Sequence, residues 1–247
     1  MPKVWFIRHG ESEANAGLPT LFPMKTELTS NGIKQAEYIA QSFPRPPSLI
    51  ITSKYIRAWQ TAQPTVKRYL QARLVHPDDW PVHEFTYLSP SKVARTTVQD
   101  RKHLVDTYWT RNHPYYVDGE GAESFITFIR RVSHVLARLR HSNEEFIAVF
   151  THGQFIHAVQ WLVEICPASI DGKSMKQFRN FLNCTWVPTG AILPAKLDRK
   201  EIKLGTIITC HLTPVVGERF FDERPHFVEE VWPSICCEGC KLVSIAI

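Results

Sequence analysis

The sequence has no apolar stretch long enough to span a bilayer, no dense run of lysine and arginine, no internal repeat and no low-complexity segment. Each absence excludes something. A membrane-crossing helix needs about 20 consecutive apolar residues, so no membrane span is expected. A nucleic-acid binder concentrates its basic residues on one face or in one run, so nucleic acid is not an expected partner. No basic segment, apolar core and cleavage site precede the first apolar run at Val4, and a soluble cytoplasmic protein is expected. In that reducing setting the six cysteines are expected to remain thiols. The cluster Cys236-Cys237-Glu238-Gly239-Cys240 has a C-x-x-C spacing, yet no second pair exists to complete a four-ligand zinc site. Neither metal nor cofactor is expected.

What is present is enough for a substantial core, since 44% of the 247 residues are hydrophobic and 21% charged. The net charge of +5 is unevenly placed: residues 1–188 carry 22 Lys and Arg against 16 Asp and Glu, residues 189–247 carry 7 against 8. The positive excess favours an anionic partner by electrostatic steering.

Two short apolar runs end in the same grammar. Val4-Trp5-Phe6-Ile7 stops at Arg8-His9-Gly10-Glu11-Ser12, and Phe146-Ile147-Ala148-Val149-Phe150 stops at Thr151-His152-Gly153. A buried strand that ends in a cation and a glycine delivers the cation to the rim of a parallel sheet, where open α/β folds bind ligands.

Between these runs strand and helix patterns alternate. Thr29 can cap a helix carrying Ile33, Ala36, Ile39 and Ala40, which Pro44, Pro46 and Pro47 end. Leu49-Ile50-Ile51 reads as a strand, followed by a helix from about Ser53 through Arg57, Trp59 and Ala62 toward Tyr69-Leu70. Ser91–Arg111 reads as a polar helix lying over the surface and roofing the site. Residues 122–141 form the clearest helix, with Phe125, Phe128, Ile129, Val132, Val135, Leu136 and Leu139 on one face. Arg130, Arg131, Arg138 and Arg140 are expected on its solvated side. A last helix runs from Phe155 to Val163. This alternation predicts a three-layer α/β/α fold with a mostly parallel sheet. The predicted division is a core at 1–188 and a β-rich C-terminal extension at 189–247 packed on it. In the extension, Ile202–Leu204 and Thr206–Leu212 read as strands and Phe220–Trp232 as packing or a flap.

The neutral imidazole of His9 can attack phosphorus, and Arg8 beside it can neutralise phosphoryl oxygens through paired hydrogen bonds. Arg57 and His152, at separate strand-helix junctions, can share the charge that builds in the transition state. The other histidines have no motif support and are expected in packing or surface roles. Tyr87, Tyr115 and Tyr116, within the stretch 85–120 expected to set specificity, are read as core or surface packing, with contact to an aromatic leaving group as the alternative.

Five ordered signatures carry a resemblance. They are Arg8-His9-Gly10-Glu11-Ser12 with Asn15, Leu28-Thr29-x-x-Gly32-x-x-Gln35-Ala36, Ser53-x-x-x-Arg57-Ala58-x-Gln60-Thr61-Ala62, Gly121-Ala122-Glu123-Ser124 and Thr151-His152-Gly153. Over about residues 3–187 the chain resembles the histidine phosphatase, or phosphoglycerate-mutase-like, superfamily. The resemblance implies a phosphohistidine intermediate on His9, with the phosphoryl group held by Arg8, Arg57 and His152, next to Gly153, and a hydrogen bond from Asn15. It implies a catalytic carboxylate after a strand in the middle region, where Glu84 stands; Asp78, Asp79, Glu120 and Glu123 are the other carboxylates there. Asn15 has a second reading as a turn cap.

The chain also departs from the pattern. Lys54-Tyr55 replace a common proline and leucine, and Ala16–Lys25 and Phe85–Pro90 lack the extra arginine elements of the mutases. The expected function is therefore a metal-independent phosphomonoesterase acting on a small phosphorylated metabolite. A phosphoglycerate mutase-type isomerase and a catalytically silent phosphate-binding or scaffold protein are the alternatives.

Overall fold

Residues 2–198 and 200–212 are described by a computed structural model. Strand β1 (Lys3–Arg8) lies inside a six-stranded sheet with β2 (Leu49–Thr52), β3 (Arg73–Leu74), β4 (Phe146–Thr151), β5 (Ile192–Leu197) and β6 (Ile202–Leu204), in the order β3-β2-β4-β1-β5-β6. β3, β2, β4 and β1 run parallel, whereas β5 is antiparallel to both β1 and β6. Strand alternation divides the core into two layers, as a sheet buried on both faces requires. Phe6, Ile51 and Val149 point to one side, and their neighbours Ile7, Ile50 and Phe150 point to the other.

The second side is covered by α1 (Ser30–Ser42) and α2 (Ile56–Arg68), whose Ile39 and Ala62 reach the sheet. The first side holds α3 (Pro90–Val93), α4 (Lys102–Arg111), α5 (Phe125–Arg140), α6 (Gly153–Glu164) and α7 (Gly172–Cys184). The α/β/α layering and the mostly parallel sheet are as the sequence predicts. Helix starts follow capping chemistry: Thr29 accepts from the Gly32 amide, and Ser124 from that of Thr127. Among the described residues no helix is long and apolar enough to cross a membrane.

Four local expectations are corrected. Ser91–Arg111 is not one helix. Arg95 takes a positive φ of 59° between α3 and α4, because Thr96 pairs with Thr20 and the Arg95 amide donates to the Thr20 carbonyl. Nor is α4 merely a surface roof, since Tyr108 and Trp109 are buried among Phe85, Tyr87 and Phe125. Arg131 is not on a solvated face; it turns into an ion pair with Glu123. Thr206–Leu212 contributes a single bridge at Ile208 and a 3-10 turn at Cys210–Leu212 rather than a strand.

Beyond residue 188, β5 pairs along almost the whole of β1 and is largely buried, so this part of the C-terminal extension joins the main sheet. The segment Phe220–Trp232 and the Cys236–Cys240 cluster lie outside the described residues.

Candidate active site

The carboxyl ends of β1, β2 and β4 lie side by side, and the residues that follow them converge. Pairing of Arg8 with Thr151 puts His9 and His152 next to each other, their ring centroids 5.1 Å apart. Both rings are buried. His9 Nδ1 lies 2.7 Å from the Gly10 carbonyl oxygen. That oxygen can only accept, so the proton sits on Nδ1 and Nε2 presents its lone pair. Arg57, in the first turn of α2, donates to that lone pair through Nε at 3.0 Å. Its other nitrogens donate to the Pro23 carbonyl at 2.6 Å and to His152 Nδ1 at 3.2 Å. A guanidinium has no acceptor, so His152 carries its proton on Nε2 and donates to Ser53 Oγ at 2.8 Å.

Arg8 closes the other side. Its guanidinium donates to the Val187 carbonyl at 2.6 Å. A Cβ on Gly153 would stand 3.4 Å from Arg8 Nε, so glycine at the start of α6 leaves the cation its space. The loop after β1 rests on the start of α1 with its main chain in contact. A Cβ on Gly10 would meet the Gly32 carbonyl oxygen at 2.5 Å, and one on Gly32 would meet that of Glu11 at 2.0 Å. Asn15 uses its side-chain carbonyl to accept from the Ser12 amide at 3.2 Å and the Ser12 hydroxyl at 2.8 Å. Its turn-capping reading is thus occupied, and its amide nitrogen remains the atom able to donate to a ligand.

Glu84 follows no strand, contrary to the expected pattern; it stands in an extended segment. That segment is fixed from below by Thr151 Oγ1, which donates to the Val82 carbonyl at 2.6 Å. The carboxylate accepts from its neighbour Phe85 N at 3.0 Å and from Gln154 N, in the first turn of α6, at 3.5 Å.

Arg131 was missed as a site residue. It donates to the carbonyls of Pro81 at 2.7 Å and His83 at 2.9 Å while paired with Glu123, and Glu123 in turn accepts from Thr86 N at 3.4 Å. This pair straps the Glu84 segment at both ends. Glu123 lies inside a quoted signature, but nothing in the local pattern of α5 shows that Arg131 reaches back to residues 81–84. Tyr55, one of the two residues that depart from the family pattern, lies with its ring under Arg57 at 5.0 Å, and its hydroxyl bonds Thr86 Oγ1 at 2.7 Å.

Burial governs the electrostatics. His9 is held well below the ordinary histidine pKa, first by desolvation and then by Arg57 and Arg8. His152 is lowered by the same desolvation, then by Arg57 and His9. Both are neutral near pH 7. Arg57 is pushed down to about 10 by burial, against the opposing pull of Glu84 and Tyr55. Glu84 keeps a partly exposed edge, yet desolvation lifts its pKa above the ordinary carboxylate value; the Phe85 amide and Arg57 oppose the rise. Two neutral imidazoles, two arginines and a carboxyl group whose pKa burial raises therefore share one rim. Among the described residues no group of three or more His, Cys, Asp or Glu is placed to hold a metal ion.

Fold and site together define an α/β protein that gathers two histidines and two arginines at the carboxyl ends of its strands, where such folds bind ligands. A family model described as the histidine phosphatase superfamily (branch 1) matches residues 4–182, and the chain belongs to that superfamily. Membership gives it a phosphatase-type function, that of a phosphoric monoester hydrolase. No curated protein matches the sequence. Among solved structures, phosphoserine phosphatase from Entamoeba histolytica in complex with 3-phosphoglyceric acid is similar, with TM-score 0.63 and 20% identity over 86% of this chain and 100% of the other. Alpha-ribazole phosphatase from Shigella flexneri is similar at TM-score 0.63 and 20% identity, over 84% of this chain and 96% of the other. At such identities the likeness is one of fold.

Proposed function

We propose that the protein is a metal-independent phosphomonoesterase that works through a phosphohistidine on His9, acting on a small phosphorylated metabolite. The observation that carries this reading is the orientation of His9: Nδ1 is tied to the Gly10 carbonyl, and Nε2 faces the guanidinium of Arg57. Nε2 attacks phosphorus while the bond to the leaving oxygen breaks, and Glu84 gives its proton to that oxygen. Water then attacks the phosphohistidine, Glu84 as carboxylate takes the water's proton, and the P–N bond breaks to return His9 and inorganic phosphate.

Arg8 and Arg57 meet the phosphoryl oxygens, and their low-dielectric surroundings strengthen that contact as charge develops. His152 holds Arg57 through Nδ1 and joins the cradle once phosphoryl oxygens favour its protonated form. Asn15 Nδ2 and the space beside Gly153 complete the binding site. Two arginines and a protonated histidine supply the positive charge that a metal ion provides in other phosphatases.

Phosphate release from p-nitrophenyl phosphate, with chelator present, tests the reading in wild type, His9→Ala and Glu84→Gln. Release that survives chelation, vanishes in His9→Ala and slows in Glu84→Gln supports it. Unchanged release by His9→Ala overturns it. Protein labelled from a radioactive phosphate ester and quenched in alkaline denaturant, in which phosphohistidine survives, would show the covalent intermediate, and its absence in His9→Ala would locate it.

A further inference from the structure

A cavity of about 260 Å³ near the site is lined by Phe22, Pro23, Met24, Lys25, Tyr55, Thr86, Pro90 and Gly121. Its connection to the chemistry is direct. The Arg57 guanidinium bonds His9 Nε2 at 3.0 Å and the Pro23 carbonyl at 2.6 Å, so one wall of the cavity stands a single guanidinium away from the nucleophile. Tyr55 forms another wall while lying under the same guanidinium at 5.0 Å. A group attached to a phosphoryl at His9 has this cavity beside it.

Its lining sets what that group can be. Phe22 and Met24 are 48% and 49% exposed, an unusual state for large apolar side chains side by side. They are not there by laxity of the loop. Thr20 pairs with Thr96 and accepts from Arg101 through its hydroxyl at 2.7 Å, and the Pro23 carbonyl is held by Arg57. Anchored on both sides, the loop keeps these apolar surfaces turned outward. Lys25 is the one cation of the lining, and it lies 5.8 Å from the Phe22 ring centre. A leaving group with a carboxylate and an amine, or with several anionic groups, would find few partners here for the water it gives up.

We propose that the substrate's leaving group is apolar, with an aromatic ring its simplest form, and that it seats between Phe22, Pro23, Met24 and Tyr55. The inference rests on the phosphomonoesterase reading and narrows it. Cavities of about 150 Å³ admit benzene, so this one has room for a ring and a short tether. It also moves specificity: Tyr87 is packed against Tyr108 and Trp109, and Tyr116 bonds Asp118, so the wall comes from residues 22–24 and Tyr55 rather than from those tyrosines.

Ethyl phosphate and 2-phenylethyl phosphate test it, because both release a primary alcohol and differ chiefly in the ring. The expected ratio of kcat/KM is at least about tenfold in favour of the phenyl ester, falling toward one in the Phe22→Ser/Met24→Ser protein. The ratio is internal to each protein, so a general loss of activity does not move it. A wild-type ratio near one, or one that the double substitution leaves unchanged, overturns the proposal. If neither ester is hydrolysed, titration with ethylphosphonate and 2-phenylethylphosphonate decides the cavity separately. Tighter binding of the phenyl compound that disappears in the double variant sustains it; equal binding or none overturns it.

Discussion

The two ends of the central strands carry the same kinds of side chain to different effect. At the amino ends of β1 and β4 a cleft of about 570 Å³ is lined by Lys3, Arg45, Arg140, Glu144 and Glu145 among others. At the carboxyl ends, Arg8, His9, Arg57, Glu84 and His152 stand together, and Pro23 and Tyr55, which both touch Arg57, line a neighbouring cavity less than half that size. The larger cleft pairs its charges in water: Arg45 and Glu145 meet at 2.9 Å with 43% and 80% of their side chains exposed. Such pairs contribute little to stability. The smaller site buries its charges, and there His9, Arg57, Glu84 and His152 are all displaced from their ordinary pKa. Cavity size is a poor guide to function here; desolvation marks the reactive end.

If that contrast holds, Arg57→Ala carries the largest effect: kcat/KM for aryl phosphates falls about 10³-fold. Steady-state kinetics beside Arg57→Lys, which keeps the charge but not the three-way bonding, tells charge from geometry. Glu84→Gln comes next, with kcat reduced about 10²-fold.

The pH profile follows from the two displaced pKa values. His9 must be neutral to attack, and its lowered pKa carries the acid limb well below 6.5. Glu84 must be protonated to act as acid, and its raised pKa carries the alkaline limb above the ordinary 4.5. The acid limb therefore lies below the ordinary histidine value and the alkaline limb above the ordinary carboxylate value, and Glu84→Gln loses the alkaline limb that Glu84 supplies. A profile with the same alkaline limb in both proteins would assign the acid elsewhere.

Arg131→Met is expected to lower kcat about tenfold by slackening the Glu84 segment and to destabilise the fold by about 3 kcal/mol, since it strands Glu123 beside an apolar core. Denaturant unfolding measures the second effect. Arg45→Ala, at the opposite end, should change stability by about 0–1 kcal/mol and leave the kinetics unchanged. A catalytic defect in Arg45→Ala would dissolve the distinction between the two ends.

The strand-end residues were legible because their chemistry is adjacent in sequence to the strand that positions it: Arg8-His9-Gly10 and Thr151-His152-Gly153 each combine the two in a few letters. Arg57 was legible for the same reason, one turn into a helix. Contacts made across the fold were not. Arg131 looks like any basic residue on an amphipathic helix until the segment 81–84 is laid against it. The break at Arg95 arises from the pairing of Thr96 with Thr20, and no property of residues 91–111 taken alone requires it. β5 escaped because Pro194 and Lys196 interrupt its apolar pattern, which only its pairing with β1 explains. α7 was overlooked despite a local signal, the reciprocal cap between Asp171 and Ser174.

Gly10 and Gly32 belong to separate stretches of sequence, but their crossing makes them one unit of inheritance. An alanine at either would strike main chain, the Gly32 carbonyl in one case and the Glu11 carbonyl in the other, and neither obstacle can rotate away as a side chain would. A second substitution cannot repair the first, because two added methyl groups need more space than one. Drift around His9 is therefore channelled: at these two positions the alphabet has one member.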